Sequence, residues 1–266
     1  MRLIVTDLDG TLIDHDTYSA EAARPALEAA ARAQVPVVLC SSKTLAEMST
    51  LARTLSVAPA PLIVENGGAV WFPPGWASIP ENAVEGRDGG RVLVLGATAA
   101  ELRPLLPRLA SATHTTLRGF SAMTDAEVAE RTGLPLAVAG LARQRQYSEP
   151  FVCANGGDLS AFDLAARRLG ARVTRGGRFF HLTGASDKGR AVRMVRATCP
   201  QVTRVLGLGD APNDIALLLA ADDAVVVPQP TGLHADVVAA VPHGRHAPHP
   251  GPAGWCAAVL DWLSEA

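Results

Sequence analysis

With 266 residues, 48% apolar and 19% charged, the chain is long enough for one large domain or two modest ones and can bury a sizeable core, which excludes a largely disordered protein. Its 24 basic and 26 acidic residues nearly cancel to a net charge of −2, so the basic excess of a nucleic-acid binder is missing. No apolar run reaches the ~18–20 residues of a membrane span, and the N-terminus lacks a signal-peptide pattern. Four cysteines, Cys40, Cys153, Cys199 and Cys256, stand far apart without a CxxC pair. They read as free thiols of a soluble cytoplasmic protein with no nucleic-acid or membrane partner and an open oligomeric state.

Short apolar runs alternate with helix-like stretches, the pattern of a parallel α/β sheet. Arg2–Leu8 reads as a buried strand. A helix from Ser19 or Glu21 to Ala33 and a strand at Gln34–Cys40 follow. Next come a helix over Leu45–Leu55 and a strand at Pro61–Val64. Prolines and glycines crowd Phe72–Gly90 as in a linker. Beyond it lie a strand at Arg91–Gly96, a helix near Ala99–Leu109 and two short helices around Asp125–Arg145. A strand at Glu149–Ala154, a helix at Leu159–Leu169 and paired strands at Ala171–Arg175 and Phe179–Thr183 complete the middle. The last third holds strands at Thr203–Asp210 and Asp223–Pro228, a helix through Ile215–Ala220 and a closing helix at Trp255–Ser264. The histidine-bearing Val241–Gly254 is a loop without fixed metal geometry. This organisation predicts a Rossmann-like core from 1–83 and 181–266 around an inserted α+β domain at 84–180.

In open parallel sheets, ligands bind beyond the carboxyl ends of the strands. Polar groups gather at four such ends: Asp7 and Asp9; Ser41, Ser42 and Lys43; Glu65, Asn66 and Gly67; and Asp210, Asn213 and Asp214. Helix capping explains any one of them, but it does not call for several carboxylates converging on one edge. A divalent cation neutralises such a cluster, and all-oxygen ligands suit Mg²⁺, which also binds phosphate. Asp7 is then a metal-bound nucleophile that attacks phosphorus, and Asp9 a general acid and base. Gly10 permits the turn out of the strand and Thr11 hydrogen-bonds the site. Ser41 donates to the phosphoryl group, and Lys188 supplies positive charge from the start of a helix.

The motifs "DLDGT", Ser41, Lys188 and "GLGDAPNDIALL", in this order, resemble those of the haloacid dehalogenase superfamily of phosphatases. The resemblance implies that Asp7, the backbone carbonyl of Asp9 and Asp210 hold Mg²⁺, with Asp214 supporting. Many relatives read Thr-Gly-Arg where this chain has Ser41-Ser42-Lys43, so either serine can hold the phosphoryl group. Only 31 residues separate Asp9 from Ser41, too few for a cap there, whereas the insert matches the position of the family's type C2 cap and its pattern resembles the C2B subgroup. "ENGGAV" is similar to that subgroup's third-strand loop. "CSSKT", "RQRQYSEPF" and "RGGRFFHLTG" resemble the branch that hydrolyses mannosyl-3-phosphoglycerate to mannosylglycerate and phosphate.

For a substrate carrying both carboxylate and phosphate, Lys43, Arg145, Arg178 and His181 would supply cations and donors, and Glu149 would accept sugar hydroxyls. Ser42, Asn66, Gly67 and Asn213 complete the expected substrate-binding set. The rival activities are other sugar-phosphate phosphatases, acting on glucosyl-3-phosphoglycerate or sucrose phosphate, and a hexose phosphomutase. A non-catalytic phosphosugar sensor is disfavoured because Asp7, Asp9, Lys188 and Asp210 are all present. A dinucleotide oxidoreductase is excluded, because "GLGDAPND" lacks the GxGxxG spacing.

Overall fold

The computed structural model describes residues 1–154, 156–176 and 179–265. The first third of the chain runs β1 (Arg2–Thr6), α1 (Arg24–Arg32), β2 (Val37–Cys40), α2 (Leu45–Thr54), β3 (Leu62–Val64), β4 (Ala69–Phe72), β5 (Val84–Glu85) and β6 (Arg91–Val94). The middle runs α3 (Ala99–Leu102), α4 (Leu105–Thr113), β7 (Leu117–Gly119), α5 (Asp125–Thr132), α6 (Leu136–Ala142), β8 (Ser148–Cys153), α7 (Leu159–Arg168), β9 (Arg172–Gly176) and β10 (Phe179–Thr183). The last third runs α8 (Lys188–Ala197), β11 (Arg204–Gly209), α9 (Ile215–Ala220), β12 (Asp223–Val226), α10 (Ala235–Ala240), β13 (Arg245–His246) and α11 (Gly251–Ser264).

Two sheets result. The larger has the order β13-β12-β11-β1-β2-β3-β4-β6-β5, parallel from β13 to β3 and antiparallel from β3 onward. Alternation along β1 explains its two covered faces. Ile4 joins Leu39, Leu206, Met48, Trp255 and Trp262 on the side of α1, α2 and α11. Leu3 and Val5 join Val38, Val205, Val192 and Leu217 on the side of α8 and α9. The smaller sheet, β7-β8-β10-β9, is antiparallel throughout. Phe151, Phe180 and Leu182 on one of its faces pack on Leu106, Leu109, Phe162 and Ala166 of α4 and α7.

The structure departs from the sequence reading in several places. Phe72–Gly90 is not a linker. It joins two strands of the larger sheet, and Trp76, Ile79 and Ala83 pack into that sheet's core. Accordingly the chain leaves the larger sheet after Val94 rather than at 84, and returns after Thr183 rather than at 181, because hydrogen-bonded pairing carries β5 and β6 with one sheet and all of β10 with the other. The helix expected over Ala99–Leu109 is two, α3 and α4, interrupted where Pro104 has no N–H to continue the ladder. The expected tail loop contains β13 and the first turn of α11, which begins at Gly251 with a proline at its start. No helix among the described residues is long and apolar enough to cross a membrane.

Candidate active site

The chain runs from β1 to β2 and β3 on one side of the larger sheet, while β11 and β12 lie on the other. The order therefore reverses between β1 and β11, and a crevice opens beyond their carboxyl ends. Asp7 stands at one lip and Asp210 at the other. The Asp7 N–H donates to the Leu208 carbonyl at 2.9 Å, extending the ladder one residue past the strand. The chain then turns sharply, with the Thr11 and Ile13 N–H groups both donating to Leu8 O. Gly10 has φ +81°, and a Cβ there would stand 2.9 Å from Asp210 Oδ2, so both the backbone and the neighbouring carboxylate require glycine.

Carboxylate oxygens of Asp7, Asp210 and Asp214 lie within 4.8 Å of one another, and all three residues are buried. Lys188, the first residue of α8, is 1% exposed and reaches between them. Its Nζ donates to Asp7 Oδ1 and to Asp214 Oδ1, each at 2.6 Å. Asp187 caps the helix by accepting from the Arg190 N–H, which places Lys188 at the buried end. Asp210 accepts from Thr11 Oγ1 at 3.0 Å and from Gln229 Nε2 at 2.9 Å. The second oxygen of Asp214 accepts the N–H groups of Asp210 and Ala211.

The charges do not balance. Burial, together with the Asp214 carboxylate, pushes the Asp7 pKa well above the usual carboxylate value against the pull of Lys188. Burial and Asp214 likewise raise Asp210, to about 6. Burial opposes the charge on Lys188, yet the carboxylates of Asp214 and Asp7 hold it well above the ordinary lysine value. One ammonium among three buried carboxylates leaves surplus negative charge. An all-oxygen set of this size fits a hard divalent cation such as Mg²⁺.

Asp9 points another way. Its carboxylate is paired with Lys43 Nζ at 2.8 Å, and Lys43 also lies over the Tyr18 ring, 5.4 Å from its centroid. Burial works against the Lys43 charge, but Asp9 and Glu47 keep its pKa raised. Ser41 is buried beyond β2 and its Oγ accepts the Lys43 N–H at 3.3 Å. Asn66 and Gly67 follow β3, and the Asn213 amide donates to Asn66 Oδ1 at 3.4 Å. These residues line one edge of the sheet, as the spacing of strand ends required.

A family model for haloacid dehalogenase-like hydrolase matches residues 4–84, the segment carrying Asp7, Asp9 and Ser41. A glucosyl-3-phosphoglycerate/mannosyl-3-phosphoglycerate phosphatase of Methanococcoides burtonii is 36% identical to this chain, over 99% of it and 98% of the relative. The chain belongs to the haloacid dehalogenase-like hydrolases. A phosphatase of the same name from Persephonella marina is 34% identical, over 99% of the chain and 97% of the relative. A solved phosphatase of the haloalkanoate superfamily from Bacteroides thetaiotaomicron superposes with a TM-score of 0.71 at 16% identity, over 100% of this chain and 96% of that one. As in this hydrolase fold, the parallel sheet is the core and the smaller antiparallel sheet with its helices is the inserted cap.

The cap meets this hydrolase core in ways that revise the expected substrate contacts. Arg145, expected as a cation for the substrate, is buried, with one guanidinium nitrogen donating to the Ser42 carbonyl and another to Ala142 O. Glu149 does not face the crevice. It pairs across the sheet with Leu182, on the side of the cap helices, and accepts from the Ser121 N–H at 2.8 Å, from Ser121 Oγ at 2.7 Å and from Arg103 Nε at 3.2 Å. With its acceptors engaged on that side, Glu149 is not available to sugar hydroxyls. His181 lies on the opposite face, paired with Thr174 on β9, which packs against the Pro212–Asp214 turn. Its Nδ1 is buried without a hydrogen-bond partner among the described residues. Arg178 lies outside the described residues.

Two participants escaped the sequence reading. Gln229 follows β12 and holds Asp210, and its signal was the polar residue after "AVVVP", one strand further along the same edge. Arg103 sits in an alanine- and leucine-rich helical stretch, where no local pattern marks it as the partner of Glu149.

Proposed function

We propose that the chain is a Mg²⁺-dependent phosphatase that hydrolyses mannosyl-3-phosphoglycerate to mannosylglycerate and phosphate. The observation that carries this reading is the Asp7–Asp210–Asp214 cluster bridged by Lys188 at the switch point of the sheet. As a member of this family, the chain is a phosphoric monoester hydrolase. The relatives, both named for glucosyl- and mannosyl-3-phosphoglycerate, support a substrate of this class. The mannosyl ester is preferred on the likeness of "CSSKT", "RQRQYSEPF" and "RGGRFFHLTG", and the glucosyl ester is the second reading. Four unpaired cysteines suit a reducing cytoplasm.

Asp7 attacks phosphorus, forming an O–P bond as the bond to the glycerate oxygen breaks. Asp9, which takes up a proton from solvent once Lys43 turns from it to the glycerate carboxylate, gives that proton to the leaving oxygen, then takes one from the water that cleaves the aspartyl-phosphate. Lys188 holds the Asp7 oxygen in place and offers positive charge to the transferring group. Ser41 or Ser42 donates a hydrogen bond to a phosphoryl oxygen. Lys43, bound to Asp9, is the cation at hand for the glycerate carboxylate. Asp7, Asp210 and the Asp9 carbonyl, with Asp214 in support, would hold Mg²⁺, which when bound offsets the carboxylate charge and the charge on the phosphoryl oxygens. On this reading Asn66, Gly67, Asn213, Arg145 and His181 are the remaining candidates for contact with the substrate.

The test is phosphate release with Mg²⁺ across mannosyl- and glucosyl-3-phosphoglycerate, mannose and glucose phosphates, and sucrose phosphate. Mannosyl-3-phosphoglycerate is expected to lead in kcat/KM, and Asp7→Asn to lose about 1,000-fold or more of kcat. A flat, weak panel overturns the substrate. Activity that survives in Asp7→Asn overturns the nucleophile.

A further inference from the structure

Glu65, Asn66 and Gly67 stand one after another at φ +50°, +60° and +84°, a left-handed run that is strained at the two non-glycine residues. Such strain persists only where the surroundings over-determine it, and here they do. The Glu65 N–H donates to Lys43 O and the Asn66 N–H to Ser41 O, both at 3.0 Å. Gly68 O accepts the Leu95 and Gly96 N–H groups on the way out to the cap, and Gly67 O accepts Ser186 Oγ on the way back.

The Glu65 side chain adds a third connection. It is 1% exposed, and its two oxygens accept from the Gln146 N–H at 2.9 Å, the Tyr147 N–H at 3.1 Å and Ser148 Oγ at 2.6 Å. The three donors are consecutive and lead into β8, which starts at Ser148, in the middle of the cap rather than at its crossings. The preceding residue, Arg145, reaches the Ser42 carbonyl. One core carboxylate thus grips the cap sheet, while the backbone that bears it is bonded to the Ser41–Lys43 loop. Burial raises the pKa of Glu65, and Arg145, Ser148 and the two amides offset only part of that rise.

We propose that Glu65 is a positioning residue that seats the cap on the Ser41–Lys43 loop, so that turnover of a substrate with a large leaving group depends on it although it touches no substrate. This rests on the phosphatase reading but not on which sugar is preferred. A small activated ester such as para-nitrophenyl phosphate has a leaving group that needs neither the cap nor a proton, and its hydrolysis reports the core alone.

The experiment compares wild type, Glu65→Gln and Ser148→Ala in the full chain with Mg²⁺. It uses para-nitrophenyl phosphate and whichever sugar phosphate the wild type turns over fastest. Glutamine keeps one acceptor oxygen but puts an NH₂ donor in place of the other, so at least one of the Gln146, Tyr147 and Ser148 donors meets a donor instead of an acceptor. A misplacement of about 1 Å costs about 100-fold. Glu65→Gln is therefore expected to lose about 100-fold in kcat/KM on the sugar phosphate and less than about 3-fold on para-nitrophenyl phosphate. Ser148→Ala, missing one of the three bonds, loses less but with the same selectivity, and carries the test should Glu65→Gln not fold. Equal losses on both substrates, or none on either, overturn the proposal, because a merely structural carboxylate does not discriminate between leaving groups. The wild-type panel judges the substrate assignment separately, and the ratio of variant to wild type judges Glu65.

Discussion

Lys188 is shared between Asp7 and Asp214, and both lose their partner if it is removed. Lys188→Met is expected to cost about 3–5 kcal/mol of stability in metal-free protein, because it leaves buried carboxylates uncompensated. Excess Mg²⁺ restores part of that loss while phosphate release stays depressed; urea denaturation with and without Mg²⁺ measures it. His181 behaves oppositely as an ionisable group. Burial, with the Arg145 and Lys188 charges nearby, lowers its pKa from 6.5 to about 3. The unfolded chain therefore takes up the proton first as pH falls, and the stabilisation present above pH 6.5 is lost progressively below it. Between pH 6.5 and 5 the loss is about 2 kcal/mol, and His181→Gln removes that slope from a plot of urea midpoint against pH. Identical slopes in wild type and variant would show that His181 is not the group responsible.

At the scale of elements, the turns after the strands decide how the site is built. Gly67 combines φ +84° with a would-be Cβ 2.2 Å from the Asp187 carbonyl, the residue that caps α8 and so sets Lys188. Gly67→Ala is expected to cost about 3 kcal/mol or more, since backbone must move on backbone. Gly75→Ala, at φ +78° with nothing within 4 Å, is the control and costs about 1 kcal/mol. Thermal denaturation of the two variants separates the close approach from the dihedral cost alone. Helix α2 shows the same economy. Its cap residue Thr44 closes a reciprocal box with Glu47, and its hydroxyl also donates to Leu141 O in the cap.

For the whole molecule, the cap rests on the core through Arg145 on Ser42 O, Thr44 on Leu141 O and the Glu65 carboxylate on β8, around the crevice that holds the acidic cluster. If the cluster holds Mg²⁺ as proposed, its surplus charge makes the metal-free protein the less stable form. Chelation with EDTA is expected to abolish phosphate release and Mg²⁺ to restore it, whereas K⁺ does not. At a Mg²⁺ concentration ten times its dissociation constant, stability rises by about 1.4 kcal/mol, visible as a higher Tm. An enzyme fully active after exhaustive chelation would overturn the metal reading of Asp7, Asp210 and Asp214.

The sequence by itself determined the α/β class and the strand ends that carry Asp7, Ser41, Asn66 and Asp210. A buried parallel strand must be a short apolar run, and a ligand edge must begin where that run stops. It also marked Lys188, whose place at the start of a helix is local information. What it left open depends on register and on distant partners. A strand residue takes one face or the other according to pairing, and a shift of one residue reverses it. So only the β8–β10 register put Glu149 on the face of the cap helices and His181 on the opposite face. The chain leaves the larger sheet later than 84 for a related reason, since β6 pairs with β4 and β5, and no local pattern names a strand's neighbour. Gln229 reaches Asp210, and Glu65 reaches Ser148 across 83 residues, only once the chain has folded. Hydrogen bonds between distant residues leave no periodic trace in the chain, and tertiary packing alone decides which buried carboxylate ends beside which donor.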